Sequence, residues 1–271
     1  MSTGSALIEV ESLGKVYGGR TESVIALEDV SFTIGEREFV SIVGPSGCGK
    51  STLLKILAGL IAKTSGKVRI GARDVAGSGR DTGFVFQAPV LLPWRTVLEN
   101  VMLPIEVSRL PKEKFGERAS MLLRLVGLEG FEQRYPFELS GGMQQRASIV
   151  RALVHDPRML LMDEPFGALD EMTRERLNSE VQRIWQQTGT TIVFVTHSIP
   201  EVVFLSSRVV VMSPRPGRIV RVIDIDLPYP RNAMTHEEPR FFELVTAVRE
   251  ALAAGHGGRA FRDAAPAAEE R

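Results

Sequence analysis

Nine consecutive residues in the N-terminal part of the chain have the types and spacing needed to hold a row of phosphates. They run from Gly44 to Thr52, and the first eight fit the pattern G-x-x-x-x-G-K-[ST] in full. The glycines allow the backbone N–H groups to curl around an anion. We expect Lys50 to reach the outer phosphates of a nucleoside triphosphate and the Ser51 hydroxyl to ligate Mg²⁺. All nine residues are predicted nucleotide contacts: Gly44, Pro45, Ser46, Gly47, Cys48, Gly49, Lys50, Ser51 and Thr52.

The segments on either side of this loop support that chemistry. An apolar run, Phe39 to Val43, predicts a buried strand before it, and Leu53 to Leu60 predicts a helix after it. A helix that begins at the loop directs unpaired N–H groups and the positive end of its dipole toward the same anion. A glycine-rich turn without a ligand requires neither neighbour, so the context favours a nucleotide site.

Two carboxylates follow another predicted buried strand. Met159 to Met162 is continuously apolar, as in a parallel strand covered on both faces, and Asp163 and Glu164 come next. A phosphate-loop enzyme needs a carboxylate for its Mg²⁺ shell at the end of a strand neighbouring the loop. Asp163 is predicted to fill that place beside Ser51. Glu164 is then placed to polarise an attacking water.

Gln87 and His197 each come at the end of a predicted core strand as well. Taken alone, either is an ordinary surface residue. Near a phosphate loop and two carboxylates, both are expected to contact water, metal or the terminal phosphate. The predicted metal ligands are Ser51, Gln87 and Asp163, and the predicted catalytic residues are Lys50, Gln87, Glu164 and His197.

A second site for an anion is predicted where Leu139-Ser140-Gly141-Gly142-Met143-Gln144-Gln145-Arg146 opens an amphipathic helix. A serine and two glycines at a helix N-terminus cap the helix and leave its N–H groups accessible. Ser140, Gly141 and Gly142 are therefore predicted nucleotide contacts. One chain would then carry two phosphate-binding helix ends.

The amino-acid composition limits which kinds of molecule this protein is expected to bind. The 271 residues are 44% hydrophobic, and 33 basic residues balance 33 acidic ones, so nucleic acid is disfavoured as the main partner. No apolar run approaches the roughly 20 residues that span a bilayer, and the N-terminus lacks secretory signal features. We therefore expect a cytosolic protein. Cys48 is the only cysteine, which excludes an intrachain disulfide, and its place near a helix N-terminus predicts a lowered thiol pKa.

The order of elements predicts an α/β fold: a phosphate-loop core with an antiparallel β layer and an inserted helical subdomain. The core domain is predicted at 7–226, the helical insertion at about 96–155 and a C-terminal extension at 227–271. Outside the core strands, the expected elements are strands Leu7 to Val16, Val24 to Leu27, Val30 to Ile34, Val209 to Met212 and Ile219 to Ile225, helices Val97 to Leu103, Lys112 to Val126 and Pro239 to Leu252, a capping box from Ser198 to Glu201, and disorder from Ala253.

From about Leu7 to Ile223 the sequence resembles the ATP-binding cassette (ABC) family, most specifically in the segment Leu139 to Arg146. The resemblance implies ATP and Mg²⁺, and a head-to-tail dimer in which Ser140 and Gly142 of one subunit close over ATP held by the other. It also implies the following roles: Tyr17 stacks on adenine, Gln87 is the Q-loop glutamine, Asp163 and Glu164 are the Walker B pair, Phe166 to Asp170 is the D-loop with Phe where Ser is common, and His197 is the switch histidine. From periodicity alone, Tyr17 is instead a packing residue at a strand end.

Three segments narrow the resemblance. Leu91 to Val101, Thr196 to Glu201 and Met212 to Ile219 are similar to ATPase subunits of bacterial nitrate, sulfonate and taurine importers. That group implies a homodimer at the cytoplasmic face of the inner membrane, bound peripherally to a transmembrane permease, with an extracytoplasmic solute-binding protein as an indirect partner. The other proteins of such systems choose the substrate.

Three other functions would each require sequence features that differ from those of this chain. A soluble ABC ATPase of translation or DNA maintenance has two cassettes or a long coiled-coil arm, and about 50 residues between Gln87 and Leu139 are too few for such an arm at a rise of about 1.5 Å per residue. A phosphate-loop kinase does not explain Ser140. A sensor without turnover would lose Glu164 or His197. For the apolar segment Leu91 to Trp94, we expect a groove for a short permease helix, with a hydrophobic plug between two lobes as the alternative.

Overall fold

The computed structural model describes residues 6–18, 23–75, 77 and 79–255. Within these ranges the strands are β1 Ala6–Gly18, β2 Ser23–Gly35, β3 Phe39–Val43, β4 Ser65–Ile70, β5 Arg73–Asp74, β6 Thr82–Val85, β7 Met159–Asp163, β8 Thr191–Val195, β9 Arg208–Met212 and β10 Ile219–Asp224. The α-helices are α1 Lys50–Leu57, α2 Val97–Val101, α3 Leu103–Val107, α4 Gly116–Leu125, α5 Gly141–Leu153, α6 Glu171–Thr188, α7 Ile199–Leu205 and α8 Pro239–Gly255. Single 3₁₀ turns cover Lys112–Lys114, Pro136–Glu138 and Ala233–Glu237.

A six-stranded sheet in the order β10-β9-β3-β8-β7-β6 carries the polar residues of interest. The strands from β9 to β6 are parallel, and β10 adds an antiparallel edge. Every residue of β3 and β8 is buried, including the polar Ser41 and Thr191, as in parallel strands covered on both faces. Strand β8 lies between β3 and β7, so the strand that ends at Asp163 is not paired directly with the strand before the phosphate loop. The loops after these parallel strands nevertheless share one edge of the sheet.

The second sheet is the predicted antiparallel layer, in the order β2-β1-β4-β5. The two short strands expected between Val24 and Ile34 are one strand, β2. Its pairing with β1 steps from Leu27↔Lys15 to Val30↔Leu13, and Asp29 has a positive φ of 51°. This β-bulge adds a residue without ending the strand, so the hydrophobic alternation breaks while the hydrogen-bonded pairing continues.

Two apolar cores hold the layers together. One lies between the two sheets and encloses α1, whose Leu53, Leu54 and Leu57 are fully buried. Burying each such side chain contributes about 1.5–3 kcal/mol. The other core lies against the six-stranded sheet and includes buried residues of α5, α6, α7 and α8. Helix α1, which starts at the phosphate loop, is therefore held between the two sheets.

The segment 96–155 is helical, as expected, but its helices are shorter. The predicted helix from Val97 ends at Val101, and α3 starts again at Leu103 because Pro104 suits only the first turn of a helix. The predicted helix from Lys112 divides into a 3₁₀ turn and α4. The division of the chain into 7–226 and 227–271 stays a prediction.

The C-terminal extension packs on the core. Helix α8 contacts α7, β9 and β10, with Phe241, Leu244 and Val248 buried. This helix was predicted, and it continues to Gly255, so the expected disorder does not begin at Ala253. Residues 256–271, where the rest of that expectation falls, lie outside the described residues. No helix in the described part of the chain is long and apolar enough to cross a membrane.

Candidate active site

The loop after β3 curls around the amino group of its own lysine. Lys50 is 5% exposed, and its Nζ donates hydrogen bonds to Gly44 O at 2.8 Å and to Pro45 O at 3.0 Å. Gly49 needs its lack of a side chain: its φ is 107°, and a Cβ there would lie 2.8 Å from Ala26 O. The cation is therefore held inside the loop, as phosphate binding requires.

A hydroxyl and a carboxylate meet where the sequence predicts a Mg²⁺ site. Ser51 Oγ donates to Asp163 Oδ1 at 2.8 Å, although 112 residues separate them. Burial raises the pKa of Asp163, and the Ser51 hydrogen bond partly offsets that effect. Oxygen ligands of this kind, completed by water and phosphate oxygens, fit Mg²⁺. The described residues hold no cluster of three or more His, Cys, Asp or Glu side chains that suits another metal.

Glu164 and His197 form a contacting pair beside this site. His197 Nδ1 lies 3.2 Å from Glu164 Oε2. Glu164 has a φ of 46°, and its N–H donates to Val195 O at 2.8 Å, which fixes this strained backbone to the neighbouring strand. Gln87 is close as well, because a Cβ added to Gly167 would lie 3.6 Å from Gln87 Nε2 and 3.8 Å from Glu164 Oε2.

Hydrogen bonding fixes the residue before His197. Ser198 caps α7 by accepting from Glu201 N at 3.5 Å, but the predicted reciprocal half of the capping box is absent. The Glu201 carboxylate instead accepts from Thr196 Oγ1 at 2.6 Å. A buried carboxylate therefore anchors the backbone that presents His197. The sequence spacing indicated the cap and could not indicate the competing partner.

A cavity of about 280 Å³ connects the loop to Glu164 and Tyr17. Its lining includes six of the predicted loop residues: Ser46, Gly47, Gly49, Lys50, Ser51 and Thr52. Tyr17 is 42% exposed and its hydroxyl lies 3.3 Å from Thr52 Oγ1, so it faces the cavity rather than the core. Arg215 also lines the cavity. This arginine was not predicted from the sequence, because nothing in the loop after β9 relates its spacing to the phosphate loop.

Cys48 contradicts the expectation of a reactive thiol. Its side chain is 1% exposed, and a Cβ at Gly44 would lie 2.8 Å from Cys48 Sγ. Burial raises the thiol pKa, and the nearby Lys50 ammonium only partly opposes that effect. The predicted lowering of the pKa is therefore wrong.

Three of the predicted loop contacts do not line the cavity: Gly44, Pro45 and Cys48. The carbonyl groups of Gly44 and Pro45 instead accept hydrogen bonds from Lys50.

The second predicted anion site lies at the start of α5. Ser140 accepts from Met143 N at 3.3 Å and is exposed, as is Gly141. Gly142 is buried, and a Cβ there would lie 2.8 Å from Thr173 Cγ2. None of these three residues lines the cavity at the phosphate loop. This exposed helix end is thus available to another molecule.

The segment between the two carboxylates and α6 contributes one residue to the core and one cap to the helix. Phe166 is 1% exposed, and its ring centroid lies 5.7 Å from that of Phe194. Asp170 caps α6 by accepting from Thr173 N at 2.9 Å. Phe at position 166 therefore extends the core, which accounts for an apolar residue where the family resemblance leads one to expect Ser.

Comparisons with known proteins agree with this geometry. The family model described as ABC transporter matches residues 27–167. An aliphatic sulfonates import ATP-binding protein of Bacillus cereus is 44% identical over 226 residues, covering 83% of this chain and 88% of that protein. A taurine import ATP-binding protein of Rhizobium johnstonii is 47% identical over 240 residues, covering 86% and 90%. The solved dimeric structure of an ATP-binding cassette in a post-hydrolysis state, bound to ADP and Pi, has a TM-score of 0.71 at 35% identity and covers 82% of this chain and 100% of that one.

Proposed function

Because the chain belongs to the ABC transporter family, we propose that this ABC ATPase is the energy-supplying subunit of an importer. Two copies bind MgATP head to tail and hydrolyse it to move a small solute through a separate transmembrane permease. The subunit is peripheral, at the cytoplasmic face of the bacterial inner membrane, and an extracytoplasmic solute-binding protein delivers the solute. The import names of two relatives that are 44% and 47% identical support this assignment.

The observation that carries the ATPase chemistry is the contact between Ser51 and Asp163. Both oxygens belong to elements that the sheet fixes, so the pair is preorganised for a cation. Ser51, Asp163 and Gln87 would hold Mg²⁺, which neutralises charge that develops on the transferred phosphoryl group. Lys50 exchanges its carbonyl partners in the loop for phosphate oxygens.

Glu164 and His197 supply the remaining chemistry. The Glu164 carboxylate orients and polarises the attacking water, since it lies at the end of the strand that carries Asp163. His197 holds Glu164 through the 3.2 Å contact and reaches toward the transferred phosphoryl group. Positioning and charge stabilisation of this kind account for most of the catalysis in phosphoryl transfer.

The second copy completes each nucleotide site. Ser140 and Gly141 are exposed and lie outside the chain's own cavity, so we assign them to ATP held by the partner. Gly142 contributes by letting α5 approach Thr173 closely. The dimeric cassette bound to ADP and Pi supports this arrangement.

The permease contact is assigned to the loop that ends at α2. Trp94 is 70% exposed, whereas Leu91 packs against the core. The fully buried Asn100 fixes the loop: its Oδ1 accepts from Leu92 N at 2.7 Å, and its Nδ2 donates to the carbonyls of Leu92, Arg95 and Thr96. A hydrophobic plug would bury Trp94. A rigid loop that holds an indole in solvent suits a protein contact.

The choice of solute belongs to the other components of the importer. Relatives of nearly equal identity to this chain are named for two different solutes, aliphatic sulfonates and taurine. Similarity in this subunit therefore does not separate these substrates. A permease and a binding protein contact the solute itself.

The test of the ATPase assignment is Glu164→Gln. The amide keeps the shape of the side chain but cannot polarise water, so hydrolysis should fall at least about 100-fold, the lower range for loss of a general base. Asp163 and Ser51 remain, so ATP binding should persist and the closed dimer should accumulate. Turnover assays and size-exclusion chromatography with MgATP measure the two effects.

Glu129→Gln, an exposed substitution in the helical insertion, is the matched control and should behave as wild type. Lys50→Ala separates binding from chemistry, because it should weaken ATP binding itself. Near-wild-type hydrolysis by Glu164→Gln would remove Glu164 from its assigned role.

A further inference from the structure

One charged side chain in the lining of the nucleotide cavity has no part in the chemistry assigned so far. The lining carries three charged side chains: Lys50, Glu164 and Arg215. Lys50 and Glu164 are assigned to the phosphates and to the attacking water. Arg215 is exposed, and its guanidinium makes no hydrogen bond or ion pair with any residue that the structure describes. A cation with free donors therefore borders the space that a nucleotide would fill.

The loop that carries Arg215 lies directly against the phosphate loop. It follows β9, and a Cβ on Gly44 would lie 3.1 Å from the carbonyl oxygen of Met212, the last residue of that strand. Further along, a Cβ on Gly217 would clash with the carbonyl oxygen of Cys48. The segment 213–217 is thus in contact with the phosphate loop on both sides of Arg215.

Hydrogen bonds hold the backbone of this loop in one conformation. Ser213 N donates to Arg218 O at 2.9 Å, and Ser213 Oγ accepts from Arg218 N at 3.0 Å. Gly217 joins the loop to β2, because its N–H donates to Ala26 O and its carbonyl accepts from Glu28 N, both at 3.0 Å. The arginine itself stands between two prolines, which fix their own φ angles. Ligand binding by its side chain therefore requires little ordering of the backbone.

The position of this loop favours the phosphate end of the nucleotide over the base. Tyr17, which the family resemblance places against adenine, contacts the last residue of the phosphate loop, with its hydroxyl 3.3 Å from Thr52 Oγ1. Arg215 belongs instead to the segment that contacts Gly44 and Cys48, in the first part of the phosphate loop. A guanidinium suits phosphate because its charge is permanent and its planar donors can bind two phosphate oxygens at once.

We propose that Arg215 binds the phosphate chain of the nucleotide, as a second cation beside Lys50. Lys50 acts from inside the phosphate loop, whereas Arg215 acts from the loop after β9. The strand order places β9 and β7 on opposite sides of β3. Arg215 therefore neutralises phosphate charge on the side away from Asp163, where Mg²⁺ is assigned. Because the ligand is the nucleotide of that site, this role rests on the function proposed above.

The test is calorimetric titration of the full chain with MgADP and with the magnesium complex of adenylyl imidodiphosphate, an ATP analogue that resists hydrolysis. Arg215→Gln should weaken both about fivefold, an effect between that of an exposed ion pair and that of a hydrogen bond to a charged group. Arg215→Lys should recover part of the affinity because the charge remains. Added salt should weaken binding less steeply in Arg215→Gln than in the wild type, since one ionic contact is missing. The ratio of MgADP to MgGDP affinity should stay unchanged, since the base is not contacted.

Arg218→Gln is the matched control. Arg218 follows in the same loop, pairs with Glu28 at 2.7 Å and does not line the cavity, so this variant should keep the wild-type affinity. An equal loss of affinity in both variants would overturn the proposal, because disturbance of the loop would then explain it. A changed ratio of MgADP to MgGDP affinity would also overturn it, by placing the contact at the base. Wild-type affinity in Arg215→Gln would overturn this role alone and leave the ATPase assignment intact. Absence of nucleotide binding by the wild-type chain would overturn both.

Discussion

The phosphate-binding loop illustrates how burial decides the chemistry of a single residue. Cys48 lies in the loop near a helix N-terminus, a position that ordinarily lowers a thiol pKa. Its side chain points into the core between the sheets, and burial raises the pKa instead. Position in the sequence indicates proximity to a dipole, but it does not indicate which way the side chain points.

The burial and raised pKa of the Cys48 thiol predict how the phosphate-binding loop reacts with an alkylating reagent. Iodoacetamide should modify Cys48 of the native protein more slowly than a free cysteine at the same pH, because the thiol is shielded and less ionised. Mass spectrometry should show full modification only after unfolding. In a Cys48→Ala background, Ser46→Cys places a thiol on the exposed cavity lining. That thiol should react promptly, and MgATP should protect it.

Rapid, ATP-sensitive alkylation of native Cys48 itself would contradict the burial argument. It would mean that the loop opens far enough in solution to expose Sγ. The Ser46→Cys variant calibrates the reagent, so a slow reaction at Cys48 cannot be attributed to weak labelling conditions.

At the scale of elements, one arginine of the C-terminal extension secures the helix after His197. Arg231 is 3% exposed, and its guanidinium donates to Val203 O, Phe204 O and Ser206 O at 2.8–3.0 Å. These carbonyls end α7 and have no further turn of helix to bind. The Tyr229 ring lies 3.9 Å from Arg231 Cζ and covers the charge.

Arg231→Met should therefore lower the free energy of unfolding by about 3 kcal/mol, because several buried carbonyl groups lose their donor and each buried group left unsatisfied costs about 1–3 kcal/mol. Chemical denaturation measures the change. Arg240→Met is the control, because Arg240 pairs with Asp226 and Glu243 on the exposed surface. The control should shift the midpoint much less. Equal shifts for both variants would show that α7 does not depend on Arg231.

Helices and strands could be predicted from the sequence where their own residue pattern determines them. The apolar run of β3 and the continuous apolar sequence of Met159 to Met162 predict their strands, and Ser140 with two glycines predicts the start of α5. The bulge in β2 and the break at Met102 depend on pairing and on Pro104, so periodicity alone did not locate them. Arg231 and Asn100 were missed because the carbonyls they bind follow from tertiary packing.

At the scale of the whole molecule, a parallel sheet explains why several residues of the candidate site could be expected to lie together. Strand ends collect polar residues at one edge whatever their distance in sequence, and Ser51 and Asp163 meet in this way. The cavity of about 460 Å³ beside α6 is governed by no such rule. Its walls come from α6, α7 and the C-terminal turn, and their approach depends on packing that no local pattern encodes.

The last prediction concerns assembly with the permease. Trp94 is 70% exposed and packs against neither apolar core in the part of the chain that the structure describes, so Trp94→Ala should change the melting temperature by less than about 2 °C. ATP binding by the isolated subunit should also remain. If the indole anchors the permease, its loss should weaken the complex at least about 30-fold, as for an interface hot spot.

Pull-down of the co-expressed permease by the Trp94→Ala subunit, alongside its thermal melt, measures both effects. Phe242→Ala is the matched control, because Phe242 is also an exposed aromatic residue, at 59%, but lies on α8. It should retain the permease. Normal recovery of the permease by Trp94→Ala would place the docking surface elsewhere. A sharply lowered melting temperature would instead give Trp94 a structural role, because loss of assembly would then follow from loss of the fold.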